Sequence, residues 1–255
     1  MNYERIVVKK EHRIGILTLN RPDKLNAFDP KSFEELKDAF AELESDDEIR
    51  VILVNGAGRV FSSGADFKSD ILVPDVLRKV MDRIAELILM MKRLPKPIIV
   101  AVHGAAAGGG MNFALAGDIV LAAEGTMFSQ PYILRGLHPD AGGSYFLPHL
   151  IGAVRACELF FTGRNFDADE AYRIGLINQV VPIAELETRA KQLAMELAKR
   201  PPKAMRLIKY SIYQALEMSL ASVLEREARS QLLCAMSDEL KEGIQAFLEK
   251  REPVF

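Results

Sequence analysis

The sequence predicts an α/β fold built on a mostly parallel sheet, and three observations lead to this prediction. Short runs of β-branched and apolar residues alternate with stretches of helical periodicity through the first half of the chain. Those runs are apolar on both faces, as strands covered by helices on each side must be. Beyond position 128 the pattern becomes mainly helical. We therefore expect an α/β core over residues 1–181 and a helical segment over 182–255 that is too small to be an independent domain.

The predicted elements follow one another in a regular order. Apolar residues at helical spacing predict helices over 32–43 and 76–94, and a short helix over 109–116. Pro95 ends the second of these, because the residue before a proline is disfavoured in a helix. Strands are expected at 14–19, 51–54, 98–102, 119–123 and 177–181. Further helices are expected over 150–162, 167–174, 183–199, 202–216 and 220–236.

Composition and charge exclude several classes of protein. The 255 residues include 33 Lys+Arg and 35 Asp+Glu, so no overall basic field would attract nucleic acid or an anionic membrane surface. Cys157 and Cys234 both lie in helical patterns, which argues against a disulfide framework or a cysteine-based metal site. No apolar run approaches the length of a membrane span, and the first residues lack the apolar stretch of a secretion signal. The sequence therefore predicts a cytoplasmic protein.

Two glycine-bearing loops each follow a predicted strand, at 55–67 (NGAGRVFSSGADF) and 104–110 (GAAAGGG). The first loop resembles a dinucleotide-binding turn, but it lacks the third glycine and the later acidic residue of that motif. A P-loop is excluded because no Gly-Lys-Ser/Thr follows either loop. Taken singly, each loop is also what a tight turn requires. The second loop goes further, because three glycines that open a helix leave backbone N–H groups bare for an anionic oxygen.

Five motifs in order carry a resemblance to a known family. They are RPDKLNAF at 21–28, FSSGADF at 61–67, KPIIVAVHGAAAGGG at 96–110, LAGDIVLAA ending at position 123, and FLEKREPVF at the C-terminal end. Together they resemble the enoyl-CoA hydratase/isomerase, or crotonase, family over nearly the whole chain. The resemblance implies a ClpP-like spiral of ββα units with a helical C-terminal trimerisation segment. A homotrimer or a dimer of trimers is therefore expected.

The resemblance also implies an acyl-CoA thioester substrate and an oxyanion hole formed by two peptide N–H groups. These groups map onto Ala65 and Gly109. Removing a proton next to a thioester carbonyl places negative charge on the carbonyl oxygen, and each donor lost from such a hole costs about 3 to 4 kcal/mol. No separate cofactor is implied, because coenzyme A is part of the substrate.

The family likeness places coenzyme A along two loops and the C-terminal helix. The implied contact residues are Lys24, Leu25, Ala27, Ala65, Asp66, Phe67, Lys68, Phe247 and Lys250. Phe247 and Lys250 resemble a pair that often reaches the nucleotide end from a neighbouring subunit. A solvated surface lysine is the alternative interpretation of both Lys24 and Lys250.

The residues expected to act as acid and base differ from those of typical hydratases in this family. Those enzymes use two glutamates to activate and protonate water, and the matching positions here are Asn112 and Tyr132. A neutral amide cannot act as a base, and a phenol with a pKa near 10 is a poor one. Asp140 lies where several isomerases and one dehalogenase of the family carry a catalytic carboxylate. The surrounding PDAGGS most resembles the isomerase of ring-epoxidised phenylacetyl-CoA, and it resembles the Δ3,Δ2-enoyl-CoA isomerases less closely.

One carboxylate suffices for a 1,3 proton shift, so we expect Asp140 to act as the base, with its pKa raised by an apolar pocket. The alternative for Asp140 is a structural cap at the start of a helix. Tyr132 and His138 are candidate helpers, or else a pocket-lining residue and a surface loop residue. His103 is expected to orient the backbone of the glycine loop. Acyl-pocket residues are expected from 70–91 and from the helix near Tyr145 and Phe146.

Three other functions stay open. Asp140 could attack an aryl carbon as a dehalogenase nucleophile, but that route needs a histidine near the first glycine loop, and none occurs over 61–93. Hydration of an atypical dienoyl or cyclic CoA ester would need a different set of acids. A CoA-ester-binding homologue with little turnover would also lack both glutamates.

Overall fold

The computed structural model describes residues 3–255, which form nine strands, ten α-helices and four short 3-10 turns. The strands are β1 (Ile6–Glu11), β2 (Ile14–Leu19), β3 (Val51–Gly56), β4 (Ile98–Val102), β5 (Ala105–Ala107), β6 (Ile119–Ala123), β7 (Met127–Ser129), β8 (Asn165–Asp167) and β9 (Gln179–Val181). The helices are α1 (Pro30–Ser45), α2 (Pro74–Arg93), α3 (Gly109–Leu115), α4 (Gly143–Ile151), α5 (Ala153–Thr162), α6 (Ala168–Arg173), α7 (Leu186–Ala198), α8 (Pro202–Ala215), α9 (Leu220–Ala235) and α10 (Asp238–Glu249). The 3-10 turns are Pro22–Lys24, Asp70–Leu72, Ile133–Arg135 and Ile183–Glu185.

The main sheet confirms the predicted parallel arrangement. Its six strands are ordered β1-β2-β3-β4-β6-β9, and every pair from β2 to β9 is parallel. β1 pairs antiparallel with β2, with Ile6 opposite Leu19. All five residues of β4 are buried, as expected of a strand that lies inside the sheet and is covered on both faces.

Helices cover both faces of this sheet. On one face, α1 and α2 bury side chains such as Leu36, Phe40 and Leu87 against Val54 and Val100. Burial of each large apolar side chain contributes about 1.5–3 kcal/mol to folding. On the other face, α7 presents the small residues Ala190, Ala194 and Ala198 to Val51, Leu53, Ile99 and Leu121. Small side chains allow this helix to lie close against the strands.

A second, three-stranded sheet places the two glycine-bearing loops side by side. β5 pairs in parallel with β7, and β7 pairs antiparallel with β8. The first loop joins this sheet through a bridge between Ser62 and Ala106, and the Ala107 amide donates to the Ser62 carbonyl at 3.0 Å. A second bridge joins Phe28 to Ala65. Three separate segments of the chain therefore meet at one point.

The predicted elements agree with the structure to within a few residues, except around position 152. A single helix over 150–162 is wrong, because Gly152 has φ 78° and ψ 155° and separates α4 from α5. That conformation is open to glycine and strained for other residues, so the chain turns there. The three strands of the small sheet and α10 were not predicted.

The C-terminal helices α8 to α10 leave many apolar side chains exposed on the single chain. Lys209 of α8 nevertheless reaches into the core, where its ammonium group lies 2.8 Å from Asp118 and donates to the carbonyls of Met91 and Lys96. Exposed apolar residues of these helices include Ile208, Ile212, Leu220, Leu224, Leu232, Met236, Phe247 and Leu248. Cys157 and Cys234 are free thiols. Over residues 3–255 no helix combines the length and apolarity that a membrane crossing requires.

Candidate active site

A cavity of about 770 Å³ opens where the two glycine-bearing loops meet. One end is walled by apolar side chains of α1, α2 and α3, among them Phe33, Ile84, Leu87, Ile88 and Phe113. Polar side chains of the wall include those of Arg135, Arg164 and Asn165. A concave, mostly apolar cavity with a few converging polar groups is the usual form of a small-molecule site.

One of the two segments predicted for the acyl pocket lies on the cavity wall. Ile71, Met81 and other residues of the 70–91 segment line the cavity. Tyr145 and Phe146 do not line it, so that part of the prediction is wrong. Phe146 is buried behind Gly142, where an added Cβ would lie 2.7 Å from its ring, and Tyr145 stacks on His149 with ring centroids 4.1 Å apart.

Ala65 is held at the cavity wall by hydrogen bonds of its two neighbours. The Phe28 amide donates to the Gly64 carbonyl at 2.8 Å, and the Asp66 amide donates to the Phe28 carbonyl at 2.9 Å. The Ala65 amide takes no part in this pairing. Gly64 has φ 89°, and an added Cβ would lie 2.7 Å from the Ala107 carbonyl oxygen. Glycine at position 64 is therefore what lets the first loop approach the second.

Gly109 is the first residue of α3, so its amide has no partner within the helix. Over residues 3–255, no hydrogen bond is donated by the amide of Gly109 or by that of Ala65. Both residues line the cavity. A Cβ added at Gly64 would lie 3.6 Å from the Gly109 nitrogen, so the first loop adjoins this amide. Ala65 and Gly109, the two predicted oxyanion-hole residues, therefore lie on the same cavity wall, and the backbone amide of each is without an acceptor among residues 3–255.

Asp140 is half-buried on the cavity wall, beside Gly109. A Cβ added at Gly109 would lie 3.3 Å from Asp140 Oδ1. Burial raises the pKa of Asp140 above its ordinary value, and the opposing effects of a Tyr132 hydrogen bond and the His138 charge are smaller. The helix-cap alternative is wrong, because α4 begins at Gly143, and its cap residue, Gly142, has no side chain.

Tyr132 is buried and donates its hydroxyl proton to Asp140 Oδ1 at 2.6 Å. Burial, followed by the negative charge of Asp140, raises the pKa of Tyr132 far above its ordinary value. The phenol is therefore a neutral donor that holds the carboxylate. His138 is exposed at the cavity edge, with Nδ1 2.7 Å from the Pro139 carbonyl. His103 Nε2 lies 2.9 Å from the Gly58 carbonyl, so its side chain contacts the backbone of the first glycine-bearing loop and not that of the adjacent second loop, where the contact was expected.

Two fully buried amides behind Tyr132 were not predicted as site residues. Asn112 donates from Nδ2 to the Tyr132 hydroxyl at 3.1 Å and to the Asp140 carbonyl at 2.9 Å. Gln130 donates from Nε2 to Asn112 Oδ1 at 2.6 Å. From the sequence, Asn112 is noticed only because a glutamate is missing there. Gln130 lies next to the Pro131-Tyr132 pair, but its partner depends on tertiary contacts.

The two loops predicted to hold coenzyme A lie against each other, and the second of them reaches the cavity wall. The Ser63 amide donates to the Leu25 carbonyl at 3.0 Å. Arg21 donates to the Ala27 carbonyl at 2.6 Å and to Asp66 at 3.0 Å, so it ties the two loops together. Of the predicted contact residues, Ala65 and Phe67 line the cavity itself, while Lys24 and Lys68 are exposed nearby in sequence. Phe247 and Lys250 lie at the end of α10 and are not part of the cavity wall of the single chain.

Comparisons with known proteins agree with this arrangement. The profile of the enoyl-CoA hydratase/isomerase family matches residues 9–255. The chain is 38% identical to 1,2-epoxyphenylacetyl-CoA isomerase of Escherichia coli K12 over 99% of this chain and 98% of that protein. It is 37% identical to a probable enoyl-CoA hydratase of Mycobacterium bovis over 100% of this chain and 99% of that protein.

Solved structures show the same fold. An enoyl-CoA hydratase from Bacillus anthracis superposes with a TM-score of 0.95 at 33% identity, covering 99% of both chains. An enoyl-CoA hydratase subunit from Geobacillus kaustophilus gives a TM-score of 0.94 at 35% identity, over 99% of this chain and 98% of that chain. The architecture is thus the crotonase fold that the motifs predicted. The chain belongs to the enoyl-CoA hydratase/isomerase family and is an acyl-CoA-processing enzyme of that family.

Proposed function

We propose that the protein is an enoyl-CoA isomerase that moves a proton along the acyl chain with Asp140 as its base. The supporting observation is that Asp140 is the one acidic side chain on the cavity wall formed by residues 3–255. Adding water across a double bond in the manner of a two-glutamate hydratase requires two carboxyl groups. Moving a proton from one carbon to another requires one.

The proposed reaction runs in two steps through a single intermediate. Asp140 removes a proton from C2 of a 3-enoyl thioester, and the C–H electron pair is delocalised onto the thioester oxygen to give a dienolate. The protonated Asp140 then returns the same proton to C4, while the electrons of the dienolate form the C2–C3 double bond. No water is consumed and no cofactor takes part. The raised pKa of Asp140 makes its carboxylate a stronger base for the first step.

The amides of Ala65 and Gly109 are the proposed donors to the thioester oxygen. They line the cavity beside Asp140 and have no partner among residues 3–255. Donors fixed in place stabilise the enolate more than the neutral thioester, because the charge develops on that oxygen. The apolar end of the cavity then receives the acyl chain, and the mouth between the Lys24–Ala27 and Ala65–Lys68 loops receives the coenzyme.

The proposal is tested by separate incubations with trans-3-hexenoyl-CoA, crotonyl-CoA and ring-1,2-epoxyphenylacetyl-CoA. Products are followed by mass and by the absorption of the conjugated 2-enoyl thioester. We expect the 3-enoyl or the epoxide ester to be converted with no change in mass. A product heavier by one water from crotonyl-CoA would show that the protein is a hydratase, as several of its relatives are named. Failure to convert any ester would favour a CoA-ester-binding protein.

Asp140→Asn is the variant that assigns the base, and Asp47→Asn is its matched control. Asp47 is an exposed loop residue on the chain segment between α1 and β3 and is absent from the cavity wall. The same chemical change there should leave turnover as it was. We expect Asp140→Asn to lower kcat by about 10²–10⁴-fold, the range for loss of a general base. Equal activity of the two variants would remove Asp140 from the mechanism.

We also propose that the chain assembles as a homotrimer or a dimer of trimers in the cytoplasm. The exposed apolar side chains of α8 to α10 support an assembly, since a solvated monomer rarely leaves so large an apolar area uncovered. In such an assembly Phe247 and Lys250 would contact the coenzyme of a neighbouring subunit. Light scattering measures the mass: a monomer would contradict this part of the proposal. Both free thiols agree with a reducing compartment.

A further inference from the structure

Four side chains form a continuous hydrogen-bonded row behind the cavity, which we call the amide row. It runs from Gln130 through Asn112 and Tyr132 to Asp140, with donor–acceptor distances of 2.6, 3.1 and 2.6 Å. Gln130 and Asn112 are fully buried. The carboxylate faces the cavity and the two amides do not line it, so only one end of the row can meet a substrate.

The chemistry of the amide groups gives the row a single direction. Asn112 Oδ1 accepts from Gln130, so its Nδ2 must face Tyr132 and the Asp140 carbonyl, and it donates to both. The Tyr132 oxygen therefore accepts a hydrogen bond from Asn112, and the Tyr132 hydroxyl donates its own hydrogen bond to Asp140 Oδ1. Donation from the Tyr132 hydroxyl to Asn112 would require the Asn112 amide to turn over, which would place its oxygen against the Asp140 carbonyl oxygen.

We propose that Asn112 and Gln130 are positioning residues that keep the Tyr132 hydroxyl donating its hydrogen bond to Oδ1 of Asp140. Oδ2 is then the oxygen that exchanges protons with the substrate. The inference rests on the proposed function in one respect, that Asp140 is the base. It adds which of the two oxygens reacts. It also gives a role to Asn112, which stands where related hydratases carry a carboxylate.

The packing around Asn112 supports a role beyond filling space. A Cβ added at Gly143 would lie 2.4 Å from Asn112 Nδ2, so glycine there leaves room for the amide to reach Asp140. Gln130 Oε1 is buried without a hydrogen-bond partner among residues 3–255. A buried unpaired oxygen destabilises the folded state, and two apolar residues would avoid that cost. The amide row is therefore not the most stable way to fill this part of the core, which favours a role other than packing.

The titratable groups that act on Asp140 are few. Burial has the largest effect and raises its pKa, while the hydrogen bond from Tyr132 and the charge of His138 both lower it. Loss of the Tyr132 bond should therefore move the titration of Asp140 to higher pH. A hydrogen bond to a charged group corresponds to a shift of about one pH unit or more.

The test titrates Asp140 directly in the full-length protein, without substrate, by infrared difference spectroscopy of its carboxyl band. The band is assigned by its absence in Asp140→Asn. Tyr132→Phe should raise the midpoint by about one pH unit. Asn112→Leu and Gln130→Met, which remove the amides at similar volume, should each raise it by part of that amount. The double variant Asn112→Leu/Tyr132→Phe should shift the midpoint by less than the sum of the two single shifts, since Asn112 acts on the carboxyl group in part through the phenol.

Two results would overturn the inference. One is a midpoint unchanged by both Asn112→Leu and Gln130→Met. The other is a double variant whose shift is the sum of the single shifts. Gln130→Met gives the answer if Asn112→Leu does not fold. Turnover separates this inference from the proposed function: if Asp140→Asn keeps full isomerase activity while the shifts appear as expected, the amide row stands and the assignment of the base fails.

Discussion

Substitution of Gly109 by alanine tests the geometry of the site with little effect on folding. The added methyl would lie 3.3 Å from Asp140 Oδ1 and 3.9 Å from the Tyr132 hydroxyl, so it occupies the space in front of the carboxylate. A reacting carbon must come within about 3–3.5 Å of its base, and a methyl group 3.3 Å from Oδ1 would narrow the approach to the carboxyl group as a whole. It would also push the thioester oxygen away from the Gly109 amide. Loss of one such donor lowers kcat by about 10²–10³-fold.

The effect on stability should be small in the same variant. The contact at 3.3 Å requires the carboxylate to yield by a few tenths of an ångström. Against this, replacing glycine by alanine in a compatible conformation stabilises a protein by about 0.4–1 kcal/mol. Turnover of a 3-enoyl-CoA ester and the thermal midpoint, measured together, check both parts. Full activity in a folded Gly109→Ala enzyme would refute the placement of the thioester at this amide.

Three further predictions concern stability. The folded-state pKa of Asp140 is raised, so its stabilising contribution is lost as the pH rises through that pKa. Asp140→Asn should therefore raise the thermal midpoint at pH 7 while it lowers turnover, and a lower midpoint would contradict this. Gly143→Ala should lower the free energy of unfolding by about 1–3 kcal/mol, because the methyl group overlaps the Asn112 amide. Denaturant titration measures this change, and an unchanged denaturation midpoint would show that the amide can move. Burial lowers the pKa of Lys92 to about 8 from 10.5, so the folded state binds this proton less tightly than the unfolded state. The free energy of unfolding should therefore increase as the pH rises from about 8 to 10.5. Lys92→Met should reduce this increase, and an unaltered pH dependence of stability would exclude Lys92 as its cause.

Much of the main sheet follows from local sequence, whereas the small sheet does not. β3 and β4 are short apolar runs with helices on either side, and that pattern is specific to a covered parallel strand. β1 has a weaker signal, because its Lys9-Lys10-Glu11 end is exposed at the sheet edge and lacks such a run. β5, β7 and β8 have three residues each. Strands this short are formed by the loops they connect, and no periodicity can be detected in three residues.

The same distinction holds in the active site. Ala65, Gly109 and Asp140 were assigned from motifs, and the structure brings them to one cavity wall. Gln130 could not be assigned, because its contact joins it to Asn112 of α3, 18 residues away, and no local pattern indicates that pairing. Local patterns predict where backbone turns occur, but the direction of a buried hydrogen-bonded row depends on every group that surrounds it.

The helix-cap interpretation of Asp140 shows why a motif can mislead when it is taken alone. An acidic residue followed by small residues is a common start of a helix. Here Ala141 has φ 47° and Gly142 has φ 79°, so the chain turns twice before α4 begins. These two residues swing the Asp140 side chain away from the helix and toward Tyr132 and the cavity. The left-handed turn is therefore what makes the carboxylate available for chemistry.

The most direct test of the whole account is a structure of the protein with a bound non-reactive acyl-CoA ester. The account predicts that the thioester oxygen lies within hydrogen-bond distance of both the Ala65 and Gly109 nitrogens, with Asp140 Oδ2 facing the acyl carbons. A thioester oxygen bound elsewhere, or a carboxylate that presents Oδ1 to the substrate, would contradict it.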